Sequence, residues 1–143
     1  RLMNAYFVTC TGYDVDEDGN VTCVYATYDP ESRGGNSPDG RKVRGTIHWV
    51  SAKTAKKAEI RLYENIVDEE KGVYNEDGSI NVNPNSLTVI KEAYVEPELE
   101  KYDKGDSFQF MRTGYFCLDS KDSTKEHMVF NRIVSLKSSY KPN

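Results

Sequence analysis

The chain has 143 residues, 37% of them apolar, and a formal net charge of −4, which is about one domain's worth at roughly 100–200 residues per domain. A pI of about 5.2 argues against a protein that holds nucleic acid by bulk charge, although a local basic patch still acts within a Debye length of about 8 Å. No apolar run approaches a membrane span and no signal segment or basic leader opens the chain, so the start at Arg1 is read as a cut inside a longer polypeptide.

Period-two alternation rich in Tyr, Val, Thr and Ile predicts strands at residues 2–13, 20–28, 41–50, 58–64, 86–95, 107–111, 115–119 and 128–136. Turn clusters separate them: Asp18-Gly19-Asn20, Pro38-Asp39-Gly40, Asp77-Gly78-Ser79, Lys104-Gly105-Asp106 and Thr113-Gly114. Short strands spaced by turns point to an all-β barrel or sandwich, not to βαβ units. Residues 51–58 hold helix formers behind Ser51 as an N-cap, which predicts a short helix before the strand at 58. A second short helix is predicted behind Pro97, through Tyr102. No linker long enough to separate independent domains is visible.

Several stretches imitate chemistry. Asp14-x-Asp16-x-Asp18-Gly19 opens like a calcium loop, but Tyr25 stands where the bidentate Glu belongs, so a hairpin turn is the better reading and no metal site is expected. Residues 32–36 are glycine-rich without a following GK[ST] and read as a mobile connection. Cys10, Cys23 and Cys117 form no CxxC pair and sit in apolar stretches, which predicts small buried hydrophobes in a reducing cytosol. The run from Asp119 to Ser123 reads as a turn with Asx-type hydrogen bonds. His48, beside Trp49, reads as a hydrogen-bonded structural histidine. None of these supports catalysis within the chain.

Two features point toward RNA. Arg41, Lys42 and Arg44 are candidate phosphate-facing residues, with a solvated rim as the plainer alternative; alternation puts Lys42 and Arg44 on one face. In Phe108-Gln109-Phe110-Met111-Arg112, alternation sends Gln109 opposite to the phenylalanines, and Arg112 with them unless the Thr113-Gly114 turn re-aims it. Gln and Arg at a strand end can each offer forked hydrogen bonds to a base edge.

Longer strings carry a resemblance. The segment from Asp39 to Ala52 is similar to the DGRKVKGxIHWVSA segment of glutaminyl-tRNA synthetases, and Glu59-Ile60-Arg61-Leu62-Tyr63-Glu64 to their (E/V)xRLYD strand. Asn83-Pro84-Asn85-Ser86-Leu87, Ala93-Tyr94-Val95-Glu96-Pro97 and Val129-Phe130-Asn131-Arg132 resemble further landmarks of the family. The stretch from Phe108 to Ser120 resembles FQFERxGYFCLDS, and Arg1-Leu2-Met3-Asn4-Ala5-Tyr6 resembles RLxNAY. Met111 departs from a frequent Glu, and Lys56-Lys57 lacks a frequent Pro.

The resemblance implies a C-terminal anticodon-binding β-barrel region over residues 1–143, of ribosomal-protein-like type, with the barrel nearer the catalytic domain incomplete. It implies a full-length glutamine–tRNA ligase of class I that uses ATP with magnesium. The Rossmann catalytic domain is missing from this sequence, and no cofactor is expected in the fragment. The implied partners are the tRNA(Gln) anticodon loop and that catalytic domain, in the cytoplasm, with neither DNA nor membrane. By position, Arg1 implies a contact to the first anticodon base, and Gln109 and Arg112 contacts to the middle base, a uridine. Alternatives are the equivalent region of a glutamyl-tRNA synthetase, a ribosomal-type RNA-binding barrel, and a barrel used for protein contact.

Overall fold

The computed structural model describes residues 1–68 and 71–136. The chain divides into two compact units between Trp49 and Val50. That boundary falls inside the stretch predicted as one strand at 41–50.

In the first unit, β1 (Val8–Val15) and β2 (Val21–Tyr28) form an antiparallel ribbon. At its tip Asp16 Oδ1 accepts from the backbone N–H groups of Asp18 and Asn20, at 3.0 and 2.8 Å. The calcium-like string is thus a hairpin turn, as the sequence suggested, and one of Asx type. The Asn20 side-chain amide and backbone N–H hold the Asp16 carboxyl below its ordinary value. A 3-10 helix, Pro30–Ser32, follows; its Asp29 N-cap accepts from Glu31 N.

Two expectations are corrected in this unit. The predicted strand at 41–50 does not form: Ile47 makes one isolated parallel bridge to Leu2, and no ladder develops. Its alternation lacked a partner strand to bond. Cys10 and Cys23 lie exposed, where buried hydrophobes were expected, because both residues sit on exposed positions of the two-stranded ribbon. Cys117, in the second unit, is only half-buried.

The second unit holds a five-stranded sheet built from β3 (Lys56–Tyr63), β4 (Leu87–Val95), β5 (Ser107–Phe110), β6 (Gly114–Leu118) and β7 (Met128–Ser135). Their order is β4-β3-β7-β6-β5, with β3 and β7 parallel and the remaining pairs antiparallel. The all-β expectation holds, and neither sheet closes into a barrel among the described residues. The expected helix at 51–58 is a single turn, closed by Ala55 N donating to Ser51 O at 2.8 Å. The β-branched and alternating residues that follow begin β3 already at Lys56. The helix expected behind Pro97 is present as a 3-10 helix, Pro97–Lys101.

One face of this sheet carries the core: Ala58, Ile60, Val95, Phe116, Leu118, Met128 and Phe130. Phe108 and Phe110 of β5 pack onto it. Phe110 stacks on Phe116 at 4.6 Å and meets Phe130 edge-on at 5.2 Å, a geometry that aromatic quadrupoles favour. Gly114 lets β6 run close to β7, since a Cβ there would stand 2.7 Å from the Val134 carbonyl oxygen. Gly114→Ala is therefore expected to cost about 1–3 kcal/mol of stability by overpacking against backbone. Urea unfolding checks this; an unchanged midpoint would contradict the close approach.

Candidate nucleic-acid interface

The residues singled out from the sequence fall into two sets, one in each unit. In the first, Arg1 is ordered by its own fold. Its backbone nitrogen donates to Gly45 O at 2.9 Å, its Nε to Thr46 Oγ1 at 3.0 Å and its Nη1 to Gly35 O at 2.8 Å. Gly35 has φ of 85°, and a Cβ there would lie 3.0 Å from Arg1 Cδ, so a glycine is needed on both counts. The bonds named leave Nη2 outside, as a donor edge that could face a ligand.

The glycine-rich stretch read as a mobile connection is tied down. Ser32 is fully buried; its Oγ accepts from Phe7 N at 2.8 Å and donates to Asp29 O at 2.7 Å. With the Ser32 and Gly35 N–H groups donating to Asp29 O and Ser32 O, at 3.2 and 2.9 Å, the stretch does not fit a triphosphate cradle, which needs such donors free.

Arg41 shares with Arg1 the lining of a pocket of about 330 Å³, together with Phe7, Asn36 and Lys42. Arg41 itself is engaged: it pairs with Asp29, lies 3.4 Å from Asp39 through Nε, and its guanidinium sits 5.5 Å from the centre of the Phe7 ring. Lys42 and Arg44 are exposed and make no ion pair among the described residues. Of the three candidates, those two keep uncompensated charge.

In the second unit, β5 and β6 form a hairpin with Phe108 opposite Phe116, Gln109 opposite Tyr115 and Phe110 opposite Gly114. Phe108 and Phe110 face the core, so Gln109 projects from the opposite, exposed face. The connecting turn is closed by Thr113 N donating to Phe110 O at 2.9 Å. Arg112, its third residue, has φ of 68°, the left-handed region where glycine or asparagine is favoured. Holding an arginine there costs about 1 kcal/mol or more. The turn therefore redirects Arg112, as the sequence allowed, and alternation with the phenylalanines does not govern it. Tyr115, which the sequence reading did not single out, stands on the same exposed face as Gln109 by direct cross-strand pairing.

A charged network braces the other end of this face. Arg61 donates through Nε to Glu59 at 2.7 Å and through Nη1 to Asp122 at 2.6 Å; both bonds raise its pKa. Asp119 Oδ1 accepts from the backbone N–H groups of Lys121 and Asp122, and Oδ2 from Asn131 Nδ2 at 2.6 Å. Backbone donation from Asp122, then the Asn131 amide, pulls the Asp119 carboxyl from 3.8 to about 2. The Asx-type turn expected at residues 119–123 is present.

The second unit is all-β and carries an exposed Gln109 on the hairpin whose turn holds Arg112 at positive φ. Residues 46–119 match the family model for the anticodon-binding domain of class I tRNA synthetases (E and Q). The chain belongs to that family. It is 54% identical to the glutamine–tRNA ligase of Clostridium kluyveri over 143 residues, covering 99% of this chain and 26% of that protein. It is 48% identical over 147 residues to that of Clostridioides difficile, again covering 99% of this chain and 26% of the relative. Against that of Vibrio vulnificus it is 46% identical over 140 residues, covering 98% and 25%. The chain thus spans about a quarter of the length of these relatives.

Proposed function

We propose that this chain recognises the anticodon of tRNA(Gln) as part of a glutamine–tRNA ligase. Gln109 and Arg112 would read the middle base, a uridine; Arg1 would contact the first. Lys42 and Arg44, with Arg41 where it is released from Asp29, would face phosphates. The observation that carries the reading is the β5–β6 hairpin, where an exposed Gln109 adjoins an Arg112 held in a left-handed conformation. Strain kept at a residue whose side chain faces solvent favours a role beyond folding.

The ATP-dependent attachment of glutamine belongs in this reading to a catalytic domain of the same longer polypeptide. A chain of about a quarter of its relatives' length supports that division. Free thiols at Cys10, Cys23 and Cys117 suit a reducing cytoplasm.

The test is titration of the chain with a tRNA(Gln) anticodon stem-loop, beside one whose middle uridine is changed, at fixed salt. Gln109→Ala or Arg112→Ala is expected to remove a preference worth about 1–3 kcal/mol, roughly five- to 150-fold in affinity. Arg112→Gly should lose the same preference while raising the thermal midpoint, because the turn strain is relieved. A uridine preference that survives both Gln109→Ala and Arg112→Ala would sink the assignment.

A further inference from the structure

Tyr115 lies on β6, beside the edge strand β5, on the sheet face that carries Gln109. Its ladder neighbours are Gln109 on β5 and Val134 on β7, so the three side chains form a strip across adjacent strands. Tyr115 is 43% exposed and Val134 50%. The adjacent aromatic, Phe116, is buried and stacked on Phe110 on the opposite face. Among the described residues Tyr115 makes no ring contact and its hydroxyl makes no hydrogen bond. An aromatic ring left uncovered beside an apolar Val and a forked donor presents a flat surface bounded by one edge-reading group.

Other exposed tyrosines of the unit lack this setting. Tyr94 stands opposite Lys57, whose ammonium is taken by Glu92 at 2.9 Å, and Tyr63 stands opposite Leu87. Tyr94 has no amide or guanidinium fork beside it, and the one beside Tyr63, Arg132, is already engaged by the Tyr63 carbonyl and Glu64.

We infer that Tyr115 is a stacking platform for an unpaired anticodon-loop base adjoining the one whose edge Gln109 reads, an inference that rests on the anticodon reading above. Single-stranded bases offer a π-face whatever their identity, so a ring at this place would add affinity without adding sequence preference. The strip would then divide its labour: Gln109 and Arg112 discriminate, and Tyr115 holds. Val134 flanks the ring and keeps water from one side of the stacked base.

The experiment titrates the 143-residue chain and its Tyr115→Ala, Tyr115→Phe and Gln109→Ala variants with the tRNA(Gln) anticodon stem-loop. The loop carries 2-aminopurine at each position flanking the middle base in turn. Tyr115→Ala is expected to weaken binding on the order of tenfold for both the uridine loop and the changed loop. It should also abolish the quenching of one 2-aminopurine probe. Tyr115→Phe should retain both affinity and quenching, which a hydroxyl contact would not allow. If Gln109→Ala loses the uridine preference while Tyr115→Ala binds and quenches like the parent, the platform is overturned and the anticodon reading stands. If the parent chain shows no preference for the uridine loop, the reading itself falls, and the platform with it.

Discussion

Replacing Phe130 with alanine is expected to destabilise the second unit by about 3–5 kcal/mol, read from urea or thermal unfolding. Phe130 is fully buried on β7, the central strand of five. It stands opposite Ile60 on β3 and Leu118 on β6, and its ring meets Phe108 at 6.0 Å and Phe110 at 5.2 Å. Truncation removes contacts to both sheet neighbours and to β5 at once, and a β-ladder cannot collapse to fill the space. Against a usual total stability of 5–15 kcal/mol, such a loss leaves a substantial unfolded fraction. Ile133→Ala on the same strand should change stability by less than about 0.5 kcal/mol, because Ile133 is exposed. Equal effects of the two substitutions would refute the one-sided core. The consequence reaches the interface, since Phe108 and Phe110 hold the hairpin that carries Gln109 and Arg112.

Asp119→Ala should cost about 2–3 kcal/mol near neutral pH, a large effect for a residue outside the apolar core. The carboxylate holds two backbone N–H groups of its own loop and the Asn131 amide, whose Oδ1 is buried without a partner. Truncation would leave the other end of that amide unpaired as well, and a half-buried donor without a partner costs about 1–3 kcal/mol. Asp122→Ala should cost under about 1 kcal/mol, because its ion pair to Arg61 is made by a side chain that is 55% exposed.

The pH dependence has a definite sign. The folded-state pKa of Asp119 is depressed, from 3.8 to about 2, so its contribution is whole above the unfolded value and fades as pH falls through the folded one. That contribution is on the order of 1–2 kcal/mol, allowing for partial exposure. The parent should lose stability between about pH 4 and pH 2 more steeply than Asp119→Ala does. Parallel acid titrations of the two would contradict the network.

Much of the fold was legible in the alternation of side chains. The strand expected at residues 128–136 is β7, Met128–Ser135, and alternation alone sends Gln109 opposite to its phenylalanines. The hairpin turn around Asp16 and the Asx turn at Asp119 were equally readable, because a short carboxylate reaching its own backbone is a local event. The stretch at 41–50 misled for the complementary reason: Val43, Ile47 and Trp49 suggest a half-buried strand, but a strand exists only where another backbone bonds it. Cys10 and Cys23 misled likewise, since apolar neighbours in sequence do not cover a two-stranded ribbon.

The candidate site divides along the same line. Gln109, Arg112 and Arg1 could be named from their strings, and the turn that re-aims Arg112 could be suspected from Thr113-Gly114. Nothing local announced that Arg41 would be drawn to Asp29, that Arg1 would be fastened to Gly35 and Thr46, or that Tyr115 would stand beside Gln109. The sequence by itself determined strand period, turn chemistry and family, because these depend on residues within a few positions of one another. Tertiary structure decided the parallel pairing of β3 with β7, the charge left free at the basic segment and the side chains sharing Gln109's face. Those outcomes depend on groups brought together from tens of residues apart, where only the packed chain fixes distance.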